Sequence, residues 1–480
     1  MSTRQPRTPV EGSAQPSPVR DADATDVPLD AADDPRAVRR SERGAFALGD
    51  VASNLTWTTI SSYLLFFYTD VAGIVAGTAG TLMLVARLLD AFFDPAVGLV
   101  VDRTTSRWGR ARPYLLFGAP LLSALTLLTF LTPGGGGTAA VVYAYVTFVF
   151  VGLAYSLVNV PYGALMAMAT RDSATRMQLA GMRSFGVGIG LIVVSTATQP
   201  LISLFGGSPT SRSGFAWTIA LYAVTGMLLF WAVFGLVEER VPVAPLTGGG
   251  PGIGASLKAL ARNRPWLTVF SFSILSFARL GIITGGTVYF ALHVLDRPAA
   301  VSVILLAFSL SAVLGSLVTA RILRLLGQRR GILLGLMACI GLSAPLFFLR
   351  DDLIAFTVVF FAANLVGGLG FVAGPALVAD TAEWHEWRSR RRDEGLLFAG
   401  YSMSTKIGAA LGSACLAWGL AAVDYRPGAV TPQVSDGITL LFIGLPILVA
   451  ALQAAVIATY SLEAKLPGIK ADNLRVREGR

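Results

Sequence analysis

Long apolar stretches dominate this chain, and each has roughly the 20 residues that an α-helix needs to cross a bilayer. About twelve of them follow one another between residues 44 and 461. Hydrophobic residues make up 54% of the chain, charged residues 14%, and the mean hydropathy is +0.64, which excludes an ordinary soluble domain. Because lipid cannot hydrogen-bond the backbone, such spans form helices. The sequence therefore predicts an all-α integral membrane protein with about twelve transmembrane helices.

Arginines mark one side of the membrane. They cluster in alternate connections between the apolar stretches and towards the carboxyl-terminal end, as at Arg171 with Arg176 and at Arg329 with Arg330. By the positive-inside rule, both termini are cytoplasmic. The net charge of +9 then reflects topology, and we expect no nucleic-acid partner. The excess of 34 arginines over 4 lysines is typical of a GC-rich genome and favours a bacterial inner membrane.

The chain divides into two halves of about six spans each. We predict a disordered cytoplasmic tail at 1–43, which lacks aromatic residues and the apolar core of a signal peptide. The first half covers 44–237, a cytoplasmic linker 238–264, the second half 265–462, and a cytoplasmic tail 463–480. A transporter built from two such repeats binds its substrate between them, near the middle of the membrane.

Two acids stand out within the second apolar stretch. Asp90 and Asp94 are four residues apart and therefore project from the same face of a helix. An ionised acid near the bilayer centre costs at least ~3 kcal/mol. The pair therefore predicts a cation or a proton held in a polar cavity. The two cysteines, Cys339 and Cys415, have no spacing that suggests a disulfide or a metal site.

Several separated blocks of sequence resemble one family, the glycoside-pentoside-hexuronide:cation symporters of the major facilitator superfamily. They are Gly49-Asp50-Val51-Ala52, Tyr68-Thr69-Asp70-Val71, Arg87 to Asp94, Ser106-Arg107-Trp108-Gly109-Arg110, Tyr155 to Tyr162, Ala379-Asp380-Thr381, Glu394-Gly395 and Lys406. The resemblance implies the major facilitator superfamily fold, with two six-helix halves. It also implies cation-coupled symport of a sugar, glycoside or hexuronide by alternating access, with Na⁺ or H⁺ as the coupling ion and no cofactor. We expect a monomer in the lipid bilayer.

The resemblance also implies a cation site. Asp90 and Asp94 match the two acids that bind the coupling cation in the melibiose-carrier branch, and hard cations prefer charged oxygen ligands. Ser156 falls where that branch has a hydroxyl near the ion, and Lys406 matches a lysine that balances the acids. The alternative interpretation is a buried ion-pair network, including Arg87, that only locks helices together. No metal site beyond a bound Na⁺ is predicted.

The substrate positions depart from the melibiose carrier. Asn54 and Asn159 stand where that carrier has two sugar-binding aspartates, so hydrogen-bonding capacity is kept but negative charge is lost. The change relieves repulsion of an anionic sugar, and the surrounding sequence is closer to the glucuronide branch. Gly163 replaces the tryptophan that stacks on the sugar, which argues against a galactoside, and Trp57 is our candidate aromatic platform.

Two arginines are candidates for holding a substrate carboxylate, because a guanidinium grips a carboxylate at two points. Arg183 matches a sugar-binding arginine of the melibiose carrier, and Arg279 is a lone cation within an apolar stretch. The alternative for Arg279 is pairing with a helix carbonyl.

The segment after the second span resembles the gating loop of the superfamily. Its charged residues can pair with carboxylates or helix C-termini at the cytoplasmic face, or they reflect topology alone. They are Asp102, Arg103, Arg107, Arg110 and Arg112.

Other functions remain open at this stage. They are a non-transporting sugar sensor or scaffold of the same fold, and a cation-independent facilitator or exporter of a non-sugar substrate. An enzyme is not expected, since the chain has no GxSxG, HExxH or Walker sequence.

Overall fold

The computed structural model describes residues 38–241, 263–389 and 394–477. Within those ranges the chain is helical and contains no strand, so the predicted all-α fold is confirmed. Residues 1–37 of the expected tail and 242–262 of the expected linker lie outside the described residues. The first helix begins at Arg40, so four residues that we assigned to the tail are helical.

The first half consists of six helices. They are α1 (Arg40–Phe66), α2 (Ala76–Arg103), α3 (Arg112–Thr129), α4 (Thr138–Ala169), α5 (Ser173–Gly206) and α6 (Arg212–Leu236). A short π-helical segment, Phe67–Val71, continues α1. Side chains cap several of these helices at their amino ends, as Asp172 does for α5 and Ser211 for α6.

The second half repeats this arrangement with more interruptions. Its helices are α7 (Arg264–Tyr289), α8 (Pro298–Leu326), α9 (Gln328–Ser343), α10 (Leu353–Gly367), α11 (Leu369–Ser389), α12 (Glu394–Ala422), α13 (Pro432–Thr439) and α14 (Leu445–Ala458). A π-helical segment, Phe290–Val294, continues α7, and another, Leu440–Gly444, joins α13 to α14. Helices α10 and α11 also form one rod, broken at Gly368. A last helix, α15 (Leu466–Arg477), lies against α11.

Nine of the described helices, counted together with the segments that continue them, are long and apolar enough to cross a membrane. The first of the nine is α4, so α1, α2 and α3 do not meet the criterion although we predicted spans there. For α2 the reason is its charge, because Arg87, Asp90 and Asp94 lie within its middle turns. A helix that faces protein and a polar cavity needs fewer apolar residues than one that faces lipid.

Among the described residues, the halves meet mainly where α1 packs on α7, α2 on α12 and α5 on α8. Within the first half, α1 packs on α5 and α6, and in the second half α7 packs on α12 and α14. We call the end of the bundle that carries Arg40 and Ala458 the basal end, and the opposite end the distal end. Successive rods run in alternate directions between these two ends.

Glycines allow the closest helix contacts. Gly186 of α5 lies against the carbonyl group of Ala47 on α1, and Gly412 of α12 lies against that of Ala278 on α7. A Cβ atom at either position would clash with backbone, which cannot move aside as a side chain can. These two contacts bring α1 next to α5 and α7 next to α12, on either side of the central space.

Candidate functional site

Asp90 and Asp94 face a lysine that comes from the other half of the molecule. Lys406 of α12 places Nζ 3.1 Å from Oδ2 of Asp90 and 2.8 Å from Oδ1 of Asp94. It also donates to the backbone carbonyl of Asp90 at 3.3 Å. The Asp90 side chain is 3% exposed and that of Asp94 27% exposed. The Asp94 carboxyl group is thus partly exposed, whereas that of Asp90 is closed off.

Ser156 of α4 completes this cluster. Its Oγ lies 2.6 Å from Oδ1 of Asp94 and 3.1 Å from Oδ1 of Asp90, so a single hydroxyl hydrogen is shared between two acceptors. The structure therefore brings together all four residues that we predicted for cation binding. Two carboxylates face one ammonium, and the oxygens present are of the kind that Na⁺ prefers.

A cavity of about 300 Å³ lies between the two halves, beside this cluster. Its polar and charged lining includes Asn54, Arg87, Arg279, Asn364, Lys406 and Gln453. Aromatic side chains complete the wall, and they are Trp57, Phe277, Phe308 and Phe371. The volume is at the lower end of those that hold small organic ligands.

Trp57 and Asn54 line the cavity, but both already have partners. The guanidinium of Arg87 lies 3.7 Å from the centre of the Trp57 ring, and Tyr155 stacks on that ring at 4.7 Å. The Asn54 amide donates to the carbonyl of Asp50 at 2.8 Å and accepts from Thr58 at 3.0 Å. A substrate at this wall would exchange these contacts for its own.

Arg183 and Asn159 are not part of the cavity wall. Nε of Arg183 forms an ion pair with Asp50 at 2.8 Å, and its guanidinium lies 4.7 Å from the ring centre of Tyr162. Tyr162 donates to the same Asp50 carboxylate at 2.7 Å. Asn159 accepts from Ser53 at 3.0 Å, while its buried Nδ2 has no hydrogen-bond partner among the described residues.

Arg279 is on the wall and has no ion pair within the described ranges. It donates to the carbonyl of Gly367 at 3.0 Å, next to the break between α10 and α11, and approaches Asn364 at 3.5 Å. The pairing with a helix carbonyl that we considered is therefore present. The side chain is nonetheless a buried cation at the cavity surface, without a compensating carboxylate in the described part of the chain.

Arg87, also on the wall, is the residue that we considered only as a member of an ion-pair network that locks helices together. It is 3% exposed and forms no ion pair shorter than 4 Å with a described residue, even with Asp90 one turn away. Its Nε and one terminal nitrogen find no hydrogen-bond acceptor there. The sequence could have indicated that Arg87 belongs to the site, because a residue three positions before Asp90 shares its helix face.

The predicted gating loop is bound to its own half. Glu239, after α6, accepts hydrogen bonds from the backbone nitrogens of Arg110 and Ala111 at 2.8 Å, and Arg112 donates to the carbonyl of Phe234 at 2.7 Å. Arg107 lies over Trp108 at 4.1 Å. Asp102 and Arg103, at the end of α2, form no ion pair with a described residue.

Comparison with known proteins identifies the family. The family described as MFS/sugar transport protein matches residues 45–464. An isoprimeverose transporter of Lactiplantibacillus pentosus is 33% identical over 90% of this chain and 91% of its own. A putative glycoside/cation symporter of Escherichia coli is 33% identical over 87% and 91%. A glucuronide carrier protein homolog of the same organism is 32% identical over 82% and 86%.

Solved structures agree on the fold. A bacterial homolog of the human lysosomal transporter Spinster has a TM-score of 0.68 at 12% identity, covering 89% of this chain and 97% of its own. A nucleoside transporter has a TM-score of 0.64 at 15% identity, covering 87% and 99%. The predicted major facilitator superfamily fold is therefore confirmed. The chain is a membrane transporter and not an enzyme, and it belongs to the MFS sugar transport family, among the glycoside-pentoside-hexuronide:cation symporters that its sequence blocks resemble.

Proposed function

We propose that this protein is a secondary active transporter that couples uptake of a sugar, glycoside or hexuronide to Na⁺ or H⁺ across the bacterial inner membrane. Both termini are cytoplasmic in this proposal, so the basal end faces the cytoplasm and the distal end faces outward. The observation that carries it is the contact of Lys406, from the second half, with Asp90 and Asp94 of the first half.

The coupling follows from competition for the two carboxylates. A cation bound by Asp90, Asp94 and Ser156 displaces the ammonium of Lys406, since both positive charges compete for the same carboxylate oxygens. Displacement breaks an ion pair between α2 and α12, which belong to different halves. Cation binding is thereby linked to the relative movement of the halves, which is the basis of alternating access.

The cavity favours a substrate that carries a negative group. Arg87 and Arg279 come from opposite halves, both are buried, and neither has a carboxylate partner among the described residues. A carboxylate between them would compensate two buried charges. Asn54 supplies amide contacts to hydroxyl groups without repelling that anion. A hexuronide fits this wall better than a neutral pentoside does.

Uptake into proteoliposomes tests the coupling. Labelled glucuronides, pentosides and galactosides are offered with imposed Na⁺ or H⁺ gradients to the wild type, to Asp94→Asn and to Asp351→Asn. The last variant is the matched control, because Asp351 is an exposed acid in the distal loop before α10. We expect accumulation against a gradient in the wild type and the control, and only downhill exchange in Asp94→Asn.

The same assay tests the substrate class. Each glucuronide is paired with the glucoside of the same aglycone, and the preference for the acid is measured in the wild type and in Arg279→Gln. We expect the wild type to favour the glucuronide about tenfold or more, and the variant to lose that preference. A preference for neutral sugars in both would contradict the anionic substrate. Equal accumulation by the wild type and Asp94→Asn would contradict cation coupling at the acid pair.

A further inference from the structure

A cluster of titratable side chains joins the two halves at the distal end, outside the proposed cation site. Asp70 lies in the π-helical segment after α1, and His293 lies in the one after α7. Nε2 of His293 is 3.0 Å from Oδ1 of Asp70. Tyr425, just after α12, donates to the same carboxylate oxygen at 2.6 Å and lies 2.7 Å from the imidazole nitrogen. We call these three residues the distal cluster.

Thr69 and Tyr289 form a second contact between the halves, next to the distal cluster. Thr69 lies 2.6 Å from the hydroxyl of Tyr289 on α7 and donates to Oδ2 of Asp70 at 2.7 Å. The Asp70 carboxylate is therefore engaged on both oxygens, and its side chain is 4% exposed. The His293 side chain is 16% exposed, so protons from the distal side can reach it.

The two π-helical segments occupy equivalent places in the two halves. Asp70 is the fourth residue of Phe67–Val71, and His293 is the fourth residue of Phe290–Val294. The wider turn of a π-helix redirects side chains and is often found at functional sites. Here it directs an acid from one half and an imidazole from the other towards the interface between them. The cluster lies eight residues beyond Ser62, the last cavity-lining residue of α1, or ~12 Å along the helix.

Asp70 is the carboxylate that contacts the His293 imidazole in the described part of the chain. The phenols of Tyr289 and Tyr425 also face the imidazole. Charged residues on the neighbouring loops and on α13 are Asp296, Arg297, Arg350, Asp351, Asp352, Asp424, Arg426 and Asp436. Of these, Arg350 and Asp436 pair with each other at 3.2 Å, and none forms an ion pair with His293 in the described ranges.

We propose that the distal cluster is a proton-binding site that makes closure of the distal end depend on the pH on that side of the membrane. A proton on His293 turns its contact with Asp70 into an ion pair between the halves, with charge-assisted hydrogen bonds. When the halves separate, Asp70 moves away and this ion pair is lost. Low pH therefore stabilises the closed distal end. That stabilisation is lost at a pH high enough to leave the imidazole neutral.

The inference rests on alternating access, and so on the proposed function, but its test needs no substrate. Spin labels are attached to Thr210→Cys and Ala429→Cys, which are exposed distal positions in different halves, after Cys339→Ser and Cys415→Ser. Double electron–electron resonance in nanodiscs then gives the populations of short and long distances. We expect the ratio of closed to open molecules to fall about tenfold between about pH 5.5 and about pH 8, because the ion pair between the halves needs a charged imidazole.

Two substitutions at His293 act in opposite directions, which separates this mechanism from a loss of folding. His293→Gln keeps a hydrogen bond but no charge, and it should hold the population near the open-rich high-pH value at every pH. His293→Arg is always charged and should hold it near the closed-rich low-pH value. His385→Gln is the matched control, because His385 is the other histidine of the chain and lies towards the basal end of α11.

A pH response that survives in His293→Gln would come from another group and would overturn the proposal. A single distance in the wild type that does not change with pH would overturn it too. Either result can occur while the uptake assay still demonstrates cation-coupled transport. Conversely, the pH response can be found although no sugar is taken up. The proposal for the distal cluster would then stand, and the proposed substrate class would be contradicted.

Discussion

Lys406 compensates the acid pair from the opposite half, and its removal leaves charge buried between helices. Its side chain is 12% exposed, and Asp90 beside it is 3% exposed. Breaking a buried ion pair by removing one partner typically costs about 3 to 5 kcal/mol, because the remaining charge loses its compensation. A bound cation can restore that compensation, so the variant reports directly on cation binding.

We therefore expect Lys406→Met to lower the free energy of unfolding by about 3 kcal/mol in a buffer without Na⁺ near neutral pH. Added Na⁺ should recover part of the loss if Na⁺ is the coupling ion, and a lower pH should do so if H⁺ is. Denaturation in detergent, followed in NaCl and in KCl over a range of pH, measures both effects. Lys470→Met is the matched control, since Lys470 is 48% exposed and pairs with Asp380 at 3.3 Å. Insensitivity of Lys406→Met to both ions would contradict a cation site at the acid pair.

The residues of the candidate site differ in how well the sequence alone could predict them. Asp90 and Asp94 share a helix face by their spacing, and the cost of burying them identifies a site. The partner of Arg183 could not be predicted, because Asp50 lies 133 positions away and meets it only when α1 packs on α5. Similarly, Arg87 has an acid one turn away, but its packing on Trp57 keeps the two apart.

At the scale of helices, both halves use the same device to fix a basal loop. Glu239 binds the backbone nitrogens that precede α3, after Gly109 at φ +104°. Glu463 binds the backbone nitrogens of Gln328 and Arg329, at 2.7 and 2.9 Å, at the start of α9 after Gly327 at φ +82°. A carboxylate at a helix amino end satisfies unpaired N–H groups and complements the helix dipole.

We expect Glu239→Gln to destabilise the protein by about 1 kcal/mol, because an amide is a weaker acceptor for these N–H groups and has no charge. Thermal denaturation of the purified protein measures the change. Glu238→Gln is the neighbouring control: Glu238 is 57% exposed and pairs with Arg240 at 3.4 Å, so its loss should have little effect. Equal shifts in the two variants would mean that Glu239 does not stabilise α3 as a cap.

The hydropathy of the sequence predicted most of the membrane-spanning helices. Its signal is weakest for helices that face the cavity. Helices α1 and α2 carry polar and charged residues on cavity-facing turns, such as Asn54 and Arg87, and so fall outside the nine apolar rods. The π-helical segments after α1 and α7 also have no signal in composition, because they depend on how the chain packs at the distal end. The distal cluster therefore became visible only in three dimensions.

For the molecule as a whole, the proposed alternating access must change the contact between α5 and α8. Ser195 of α5 and Ser309 of α8 meet across the interface with their hydroxyl oxygens 2.7 Å apart, and both line the cavity. Side chains this close are within reach of a disulfide if both are cysteine. A covalent link there would hold the halves in one arrangement, whatever substrate or coupling ion the protein uses.

We therefore expect Ser195→Cys/Ser309→Cys, with Cys339 and Cys415 replaced by serine, to lose at least about nine-tenths of its uptake on oxidation and to regain it on reduction, because alternating access needs the halves to separate. Gly118→Cys/Val158→Cys is the matched control, since it links α3 to α4 within the first half. Its uptake should be similar in the oxidised and reduced states. Mass spectrometry confirms each cross-link, so that unchanged uptake with a complete Ser195–Ser309 link would show that transport does not require rocking at this interface.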